Sequence, residues 1–375
     1  MAIYMWREHI PRTFTISWEE KSDMSSWWTY SDDATWLTAW SWDFDDFFWY
    51  SEVLLNTSWV ETSGIIQRWW VFTSVVGAMG NITSWDNVMI KFPVRWIKMT
   101  KSWSIVTLSI TDWLGRENEW YQYYAHCTWT LSNPWTPKDQ FYLWAYKAYN
   151  NSNVLKSWSW KTPTASLRQA YSATYAKANG SWYNIMGFYQ NQYVNALYMM
   201  KYGNPNAQSV VWQWYTWWSS ARSTWWTNSQ TSATYWTTSS TVQVKLFWLE
   251  DRWGNLNEYV WWVYTSSGKE LYVTLNNWSW DISWWEWTWI TVGTTQSDGG
   301  CLSSIVGDNK AMFAPLATES NIWYYSDRVR VYASRLADTW AYYSRGVYWW
   351  PFGLFFSNSS TSASSTVGNR IMFIK

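Results

Sequence analysis

The chain has 375 residues, a formal net charge of zero and a charged fraction of only 14%. This balance provides no electrostatic footprint for nucleic acid or for an anionic membrane surface, so neither is expected as a partner. Two cysteines, Cys127 and Cys301, are too few for a disulfide framework, and neither they nor the two histidines stand at metal-ligand spacing. No metal and no other cofactor are therefore expected.

Tryptophan departs most from an ordinary composition, since the chain has 43 Trp against 16 Gly, whereas Gly is normally among the commonest residues. The Trp residues stand in doublets within Ser- and Thr-rich stretches, as at 217–218 and 225–226, and in turn-like contexts, as at Trp135. Turns with positive φ favour Gly, Asn or Asp. We therefore expect many written Trp residues to be glycines encoded by UGA, with many of these positions exposed or at positive φ. The alternative is a tryptophan-rich carbohydrate-binding surface.

The first 155 residues are predicted to form two units. Residues 1–50 are polar and poor in aliphatic side chains, which predicts a flexible or irregular segment. Residues 51–155 are predicted to be a β-rich N-terminal domain, because 88–112 alternates with a hairpin turn at 100–103 and 141–149 is a further strand candidate. The N-terminus lacks a basic region followed by an apolar one, so we expect no signal peptide and no membrane insertion.

Two helices are predicted at the beginning of residues 156–375. The first spans 164–177, with a Thr or Ser cap and Gly180 soon after its end. The second spans 183–202, with apolar residues spaced for one buried face, and Gly203 and Pro205 end it. Beyond Asn206 the pattern predicts only short strands and long loops. The predicted class is therefore α+β.

Three stretches carry a resemblance to known proteins. Residues 181–215 resemble the second-helix region of phage and bacterial tail and surface proteins that end in a C-type-lectin-like domain of the formylglycine-generating-enzyme type. Residues 246–262 resemble that family's hallmark, with Asn257 in place of the usual aromatic residue. Its matching positions are Leu249, Glu250, Asp251, Gly254, Asn255, Glu258 and Tyr259. Reading Trp248, Trp261 and Trp262 as glycine improves the match.

The last stretch, 346–375, resembles the closing region of variable proteins made by diversity-generating retroelements. The matching positions there are Gly353, Phe355, Gly368, Arg370, Ile371, Met372 and Phe373. Together these resemblances imply a C-type-lectin-like fold over 156–375, with a variable-type segment at about 323–370, preceded by a smaller β-rich domain. They imply a structural motif of Gly254, Asn255, Glu258, Tyr259, Gly353, Phe355, Gly368 and Arg370.

In the diversified family, adenines are randomised, so that asparagine codons scatter to Tyr, Ser, Asp, Thr, Ala, Val and others. Those residue types dominate between Trp323 and Tyr348, and a Tyr- and Ser-rich set is typical of a binding surface. The resemblance implies non-catalytic recognition of a protein or glycan ligand on a cell or virion surface, by a virion-tail or cell-surface protein that is a monomer or a homo-oligomer. The candidate ligand-binding positions are Tyr324, Tyr325, Ser326, Arg328, Arg330, Tyr332, Ser334, Tyr342, Tyr343, Ser344, Val347 and Tyr348.

Two alternatives stay open. One is a phage tail or virion adhesin, or a structural virion protein, that is not diversified. The other is an enzyme related to the formylglycine-generating oxidases, which would need closely placed cysteines or a metal site in the C-terminal domain. Cys301 is alone in that domain, and the chain contains no P-loop and no Ser/His/Asp combination. We therefore expect no catalysis, and a cleft that brings Cys127 close to Cys301 would contradict this expectation.

Overall fold

The structure, a computed structural model, describes about two thirds of the chain. The described residues are 11–20, 28–35, 47–48, 50–56, 58, 60–68, 71–78, 86–113, 119–127, 137–205, 210, 215, 220–228, 230, 232–274, 287–290, 300–319, 325, 329–339, 352–359 and 361–374.

The elements of the first half are, in chain order, β1 (Thr13–Glu19), β2 (Trp28–Asp32), β3 (Ser51–Leu55), β4 (Glu61–Arg68), β5 (Val71–Ala78), β6 (Asn87–Pro93), β7 (Trp96–Ser102), β8 (Ile105–Thr111), β9 (Gln140–Trp144), β10 (Tyr149–Asn151), β11 (Val154–Lys156), α1 (Gln169–Lys177), β12 (Tyr183–Ile185) and α2 (Phe188–Tyr202). Those that follow are β13 (Lys245–Leu246), β14 (Leu249–Glu250), β15 (Asn257–Thr265), β16 (Leu271–Thr274), β17 (Trp287–Ile290), β18 (Cys301–Ile305), β19 (Pro315–Glu319), β20 (Arg330–Val331), β21 (Leu336–Thr339), β22 (Leu354–Asn358), β23 (Val367–Gly368) and β24 (Ile371–Phe373).

The described part of the chain is mostly β, with 24 strands and two α-helices. The predicted α+β class is therefore wrong. The prediction gave weight to two helical patterns, and both helices exist, but they are short, with 9 residues in α1 and 15 in α2. Many strands have only two to five residues, which is too short for a clear alternation in the sequence. The C-type-lectin-like fold stays a prediction.

A four-stranded antiparallel sheet in the order β2-β1-β8-β7 contains part of the segment predicted to be irregular. The prediction is wrong for β1, which alternates apolar residues with Thr and Ser and buries Phe14, Ile16 and Trp18. Its hydroxyl side chains face those of β8. The pairs are Thr13 with Thr111 at 3.0 Å, Thr15 with Ser109 at 2.8 Å and Ser17 with Thr107 at 2.9 Å. Such cross-strand pairs fix the register of the two strands.

A seven-stranded sheet joins the two halves of the chain. Its order is β12-β24-β9-β6-β3-β4-β5, so that β9 pairs with β6 on one side and with the last strand, β24, on the other. The boundary predicted between residues 155 and 156 therefore falls within one hydrogen-bonded sheet. The strand predicted over 141–149 is shorter than expected, because β9 ends at Trp144.

A third sheet is built around β15. Its order is β17-β16-β15-β21-β22-β20, and β23 pairs in parallel with the beginning of β15. Three two-stranded ladders, β10-β11, β13-β14 and β18-β19, complete the described β-structure.

All fifteen residues of helix α2 are buried. Its tyrosines reach different parts of the fold: the hydroxyl of Tyr189 donates to the Lys310 carbonyl at 2.9 Å and that of Tyr193 to the Pro93 carbonyl at 2.9 Å. The predicted helix end is confirmed, because Gly203 has φ 62° and its N–H donates to the Met199 carbonyl at 2.8 Å.

Both predicted helix beginnings are wrong. Residues 183–185 form β12, since they pair with β24 at the end of the chain, and this pairing outweighs the helical spacing of their side chains. α1 begins at Gln169 rather than at residue 164, because Ser166 has φ 61°, which no right-handed helix contains. None of the helices in the described ranges is long and apolar enough to cross a membrane.

Candidate ligand-binding surface

A buried cluster of four charged side chains joins β15 to the end of the chain. At its centre the Oε1 atom of Glu258 accepts hydrogen bonds from Lys147 Nζ at 2.7 Å and from Arg370 Nε at 2.9 Å. Arg252 Nη1 lies 3.4 Å from Oε2 of the same carboxylate. All four side chains are at most 1% exposed. We call Glu258, Lys147, Arg252 and Arg370 the Glu258 cluster.

Burial and the neighbouring cations have opposite effects on the pKa of Glu258. Burial alone would raise the pKa of Glu258, but Arg370, Lys147 and Arg252 outweigh it and hold this pKa below its usual value. The carboxylate therefore stays ionised, and it compensates cations that would otherwise be buried without a counter-charge.

Arg370 connects the cluster to two backbone segments. Its Nη1 atom donates to the carbonyls of Trp144 at 2.5 Å and Ala145 at 3.0 Å, and its Nη2 atom donates to the Glu250 carbonyl at 2.6 Å. With the contact to Glu258, the planar guanidinium ties the end of β9, β14 and β15 to the residue that precedes β24. A lysine has no such planar fork, so the contacts at this position depend on arginine.

The predicted motif also contains a tight turn beside the cluster. Gly254 and Asn255 both have positive φ, at 87° and 64°, a conformation that Gly and Asn adopt with little strain. The Asn255 side chain accepts from the Arg222 N–H and donates to the Arg222 carbonyl, both at 2.9 Å. It also donates to Asp251 at 2.7 Å. Burial and the charge of Glu250 raise the pKa of Asp251 to about 7.

The other motif residues are buried as well. Tyr259 is fully buried on β15, and its hydroxyl donates to the Ser362 carbonyl at 3.1 Å. Gly353 precedes β22, and Phe355 lies within it, 2% exposed. At Gly368 a Cβ atom would lie 2.8 Å from a Leu256 methyl group and 3.3 Å from the Thr164 carbonyl oxygen, so any side chain there would have to displace the leucine.

The candidate ligand-binding positions divide into two groups. Eight lie outside the described residues, namely Tyr324, Ser326, Arg328, Tyr342, Tyr343, Ser344, Val347 and Tyr348. The other four, Tyr325, Arg330, Tyr332 and Ser334, are described.

Tyr325 is a core residue, so the ligand-facing role predicted for it is wrong. Its side chain is 0% exposed. The hydroxyl donates to Glu20 Oε1 at 2.8 Å and accepts from Trp18 Nε1 at 3.0 Å. Glu20 also pairs with Lys101 at 2.6 Å. Tyr325 therefore fastens the beginning of the C-terminal segment to the four-stranded sheet.

Arg330, Tyr332 and Ser334 lie on β20 and in the turn after it, and their side chains are half-buried or exposed. The backbone beneath them is fixed. Arg330 pairs with Phe355 of β22, and the Tyr332 N–H donates to the Phe356 carbonyl at 3.0 Å. Ser334 has φ 56°, and its N–H donates to the Ser266 carbonyl at 2.9 Å. These side chains are therefore presented by an ordered backbone.

Several residues that fix the backbone around the candidate positions were not predicted from the sequence. Lys147 was a charged side chain within an apolar run, and a buried ammonium needs a partner, so its position was a usable signal. Arg252 stood inside the hallmark stretch, between Asp251 and Gly254, without an assigned role. No local signal identified Glu20, because its partners Lys101 and Tyr325 lie 81 and 305 residues away in sequence.

Both cysteines and His126 are buried. Cys127 and Cys301 are not joined in a disulfide, and burial raises the pKa of the Cys127 thiol to about 12, so this thiol stays protonated at neutral pH. His126 is fully buried, and burial together with the charge of Arg95 holds its pKa well below the usual range. Within the described ranges, no group of three or more His, Cys, Asp or Glu side chains could hold a metal ion.

The comparisons with known proteins add no assignment. No protein-family model matches the chain, and no curated protein sequence is significantly similar to it. The role of this surface is therefore inferred from its own residues and contacts.

Proposed function

We propose that the protein binds a protein or glycan ligand on a cell or virion surface through the side chains of its C-terminal segment, as variable proteins of the retroelement-diversified family do, and that it performs no catalysis. The observation that carries the proposal is that buried contacts hold the backbone on both sides of the segment. The side chains between them are therefore free to differ without loss of the fold.

At the beginning of the variable-type segment, the Tyr325 side chain is anchored to Glu20 and Trp18. β20 then pairs with β22, and Thr339 at the end of β21 pairs with Leu354 at the beginning of β22. Five candidate positions, Tyr342, Tyr343, Ser344, Val347 and Tyr348, lie between these two paired residues in sequence. Changing them removes no pairing of the described sheet.

The contacts after the segment are those of the Glu258 cluster. Arg370 is fully buried and fixes the residues before β24 to β9, β14 and β15. A ligand-binding segment benefits from such a frame, because a backbone that is already ordered loses less entropy when the ligand binds.

The side chains offered by the segment suit recognition. Tyrosine provides a large rigid contact area at low entropic cost, serine adapts its hydrogen bonds, and arginine pairs with carboxylate or phosphate groups. Among the described candidates, Arg330 and Tyr332 are half-buried and Ser334 is exposed.

A binding assay with matched variants tests the proposal. The labelled full chain is applied to a glycan array and to intact cells of a panel of bacterial strains. Replacing Tyr332, Tyr342 and Tyr343 together by alanine is expected to weaken binding about tenfold or more, because aromatic side chains dominate binding energies. The far-ultraviolet circular dichroism spectrum should stay unchanged.

The control variant replaces Tyr171 and Tyr175 by alanine. These two tyrosines stack on each other on α1, with Tyr171 50% exposed, and they lie outside the segment. This variant should bind like the unchanged chain. The proposal is contradicted if the triple variant binds normally, or if the α1 variant loses binding to the same extent.

A further inference from the structure

Six tryptophans in the described part of the chain have a backbone conformation that disfavours any bulky residue. They are Trp103 (φ 57°), Trp120 (φ 66°), Trp160 (φ 65°), Trp225 (φ 140°), Trp248 (φ 66°) and Trp262 (φ 61°). A positive φ brings Cβ too close to backbone oxygen atoms, so Gly adopts it freely, Asn and Asp adopt it at some cost, and large side chains rarely adopt it. Among the residues that the structure describes, sixteen non-glycine residues have positive φ, and six of these are tryptophan.

The turn between β7 and β8 has a geometry that favours glycine at position 103. Ser102 pairs with Ile105, so Trp103 and Ser104 form a two-residue loop, and only Trp103 of the two has positive φ. This is the pattern of a type II′ turn, in which glycine occupies the first central position. The indole of Trp103 is 95% exposed, so no packing compensates the backbone strain.

The hairpin between β13 and β14 shows a second requirement of this kind. Leu246 pairs with Leu249, and the two loop residues, Phe247 and Trp248, have φ of 50° and 66°. Two consecutive positive φ angles define a type I′ turn, whose second position strongly prefers glycine. Trp248 occupies that position.

Trp225 and Trp160 lie together. Trp225 has φ 140°, far outside the left-handed helical range, and its N–H donates to Glu250 Oε1 at 2.7 Å, so the backbone approaches a buried carboxylate closely. Its ring stacks on that of Trp160, with centroids 4.2 Å apart, and Trp160 also has positive φ.

Trp262 combines strain with an unmet hydrogen bond. Its ring is 3% exposed, and its buried Nε1 atom has no hydrogen-bond partner. The ring also lies so close to Gly187 that a Cβ atom at that position would collide with it. Buried tryptophans normally donate their indole N–H, so the interior at Trp262 is poorly matched to an indole.

We propose that the natural protein carries glycine at positions 103, 120, 160, 225, 248 and 262, encoded by UGA. The inference goes beyond the proposed function and is independent of it. With glycine at these positions, the exposed indoles of Trp103, Trp120 and Trp160 are absent from the surface.

The proposal concerns only the six tryptophans with positive φ and not every tryptophan of the described residues. Six described tryptophans are buried, namely Trp18, Trp96, Trp144, Trp253, Trp261 and Trp262. Trp18 differs from the strained set, because it lies within β1, its indole N–H donates to the Tyr325 hydroxyl at 3.0 Å, and its φ is not positive. It provides the matched control for a substitution series.

Two experiments test the inference. The first is peptide mass spectrometry on the protein isolated from its own host, together with the codons of the gene. The tryptic peptide spanning 246–252 contains Trp248 and no other tryptophan. A glycine mass in this peptide and UGA at all six codons support the proposal, whereas an intact tryptophan there or UGG codons would overturn it.

The second experiment compares urea unfolding midpoints of recombinant full-length chains. The chain with all six tryptophans replaced by glycine is expected to unfold at a higher urea concentration than the chain with tryptophan. The Trp18→Gly variant should unfold at a lower concentration, because it loses core packing and the hydrogen bond to Tyr325. A lower midpoint for the six-glycine chain would overturn the proposal.

Discussion

Replacing Glu258 by glutamine leaves the shape of the Glu258 cluster nearly unchanged and removes its negative charge. Lys147, Arg370 and Arg252 then remain buried, with contacts at 2.7, 2.9 and 3.4 Å to a neutral amide. At an effective dielectric constant of about 20, each of these contacts corresponds to roughly 5 kcal/mol of attraction. Desolvation offsets most of this, so breaking such a pair costs about 3 to 5 kcal/mol of net stability. Since folded proteins are stable by only about 5 to 15 kcal/mol, Glu258→Gln should remove a large part of the free energy of unfolding.

Urea unfolding of the full chain at pH 7 measures this loss as a shift of the midpoint. The control is Glu61→Gln, which breaks the pair with Lys91 at 2.8 Å, where both side chains are 29% exposed. A pair with that exposure should contribute at most about 1 kcal/mol. Because the pKa of Glu258 is lowered in the folded state, its stabilisation is present above its unfolded-state pKa and is lost as the pH falls through the folded pKa. A Glu258→Gln shift no larger than that of the control would refute the role given to the cluster.

Three further predictions concern stability. His126→Phe should remove part of the loss of stability in acid. The folded chain resists protonation at His126, so below a pH of about 6.5 only the unfolded state gains this proton, and stability falls by about 1 kcal/mol per pH unit. Urea midpoints at pH 7.5 and 5.5 measure the difference between the variant and the unchanged chain. Tyr325→Phe removes the hydroxyl between Glu20 and Trp18, and should cost about 1 to 3 kcal/mol in urea unfolding without weakening ligand binding. Arg370→Lys should cost about 3 kcal/mol in the same measurement, because an ammonium cannot reproduce all the charged hydrogen bonds of the guanidinium fork. An unchanged midpoint would contradict its structural role.

Features that depend on one or two neighbouring residues could be predicted from the sequence. The end of α2 followed from Gly203, because a left-handed C-terminal residue is most often glycine. The turn at Gly254 and Asn255 consists of the two residue types that tolerate positive φ best. The resemblance named Glu258 and Arg370, and the structure places them in one buried ion pair.

Other features could not be predicted, because distant partners decide them. Residues 183–185 have the same apolar spacing as the helix that follows, and only pairing with β24, more than 180 residues later, makes them a strand. Tyr325 has the same residue type as its neighbour Tyr324, and its burial depends on Glu20 and Trp18 near the other end of the chain. The mostly β class was missed for the same reason, since the pairing of short strands is not a local property.

The proposed function requires that buried contacts keep the backbone constant while the side chains of the candidate positions vary in order to bind different ligands. The most direct test is to sequence the gene in many members of one source population. Diversified ligand binding predicts variation at adenines in the codons of the candidate positions Arg330, Tyr332, Tyr342 and Tyr343, with the codons of the Glu258 cluster and of Tyr325 constant. Uniform codons at the candidate positions, or equal variation in the codons of the frame, would contradict it.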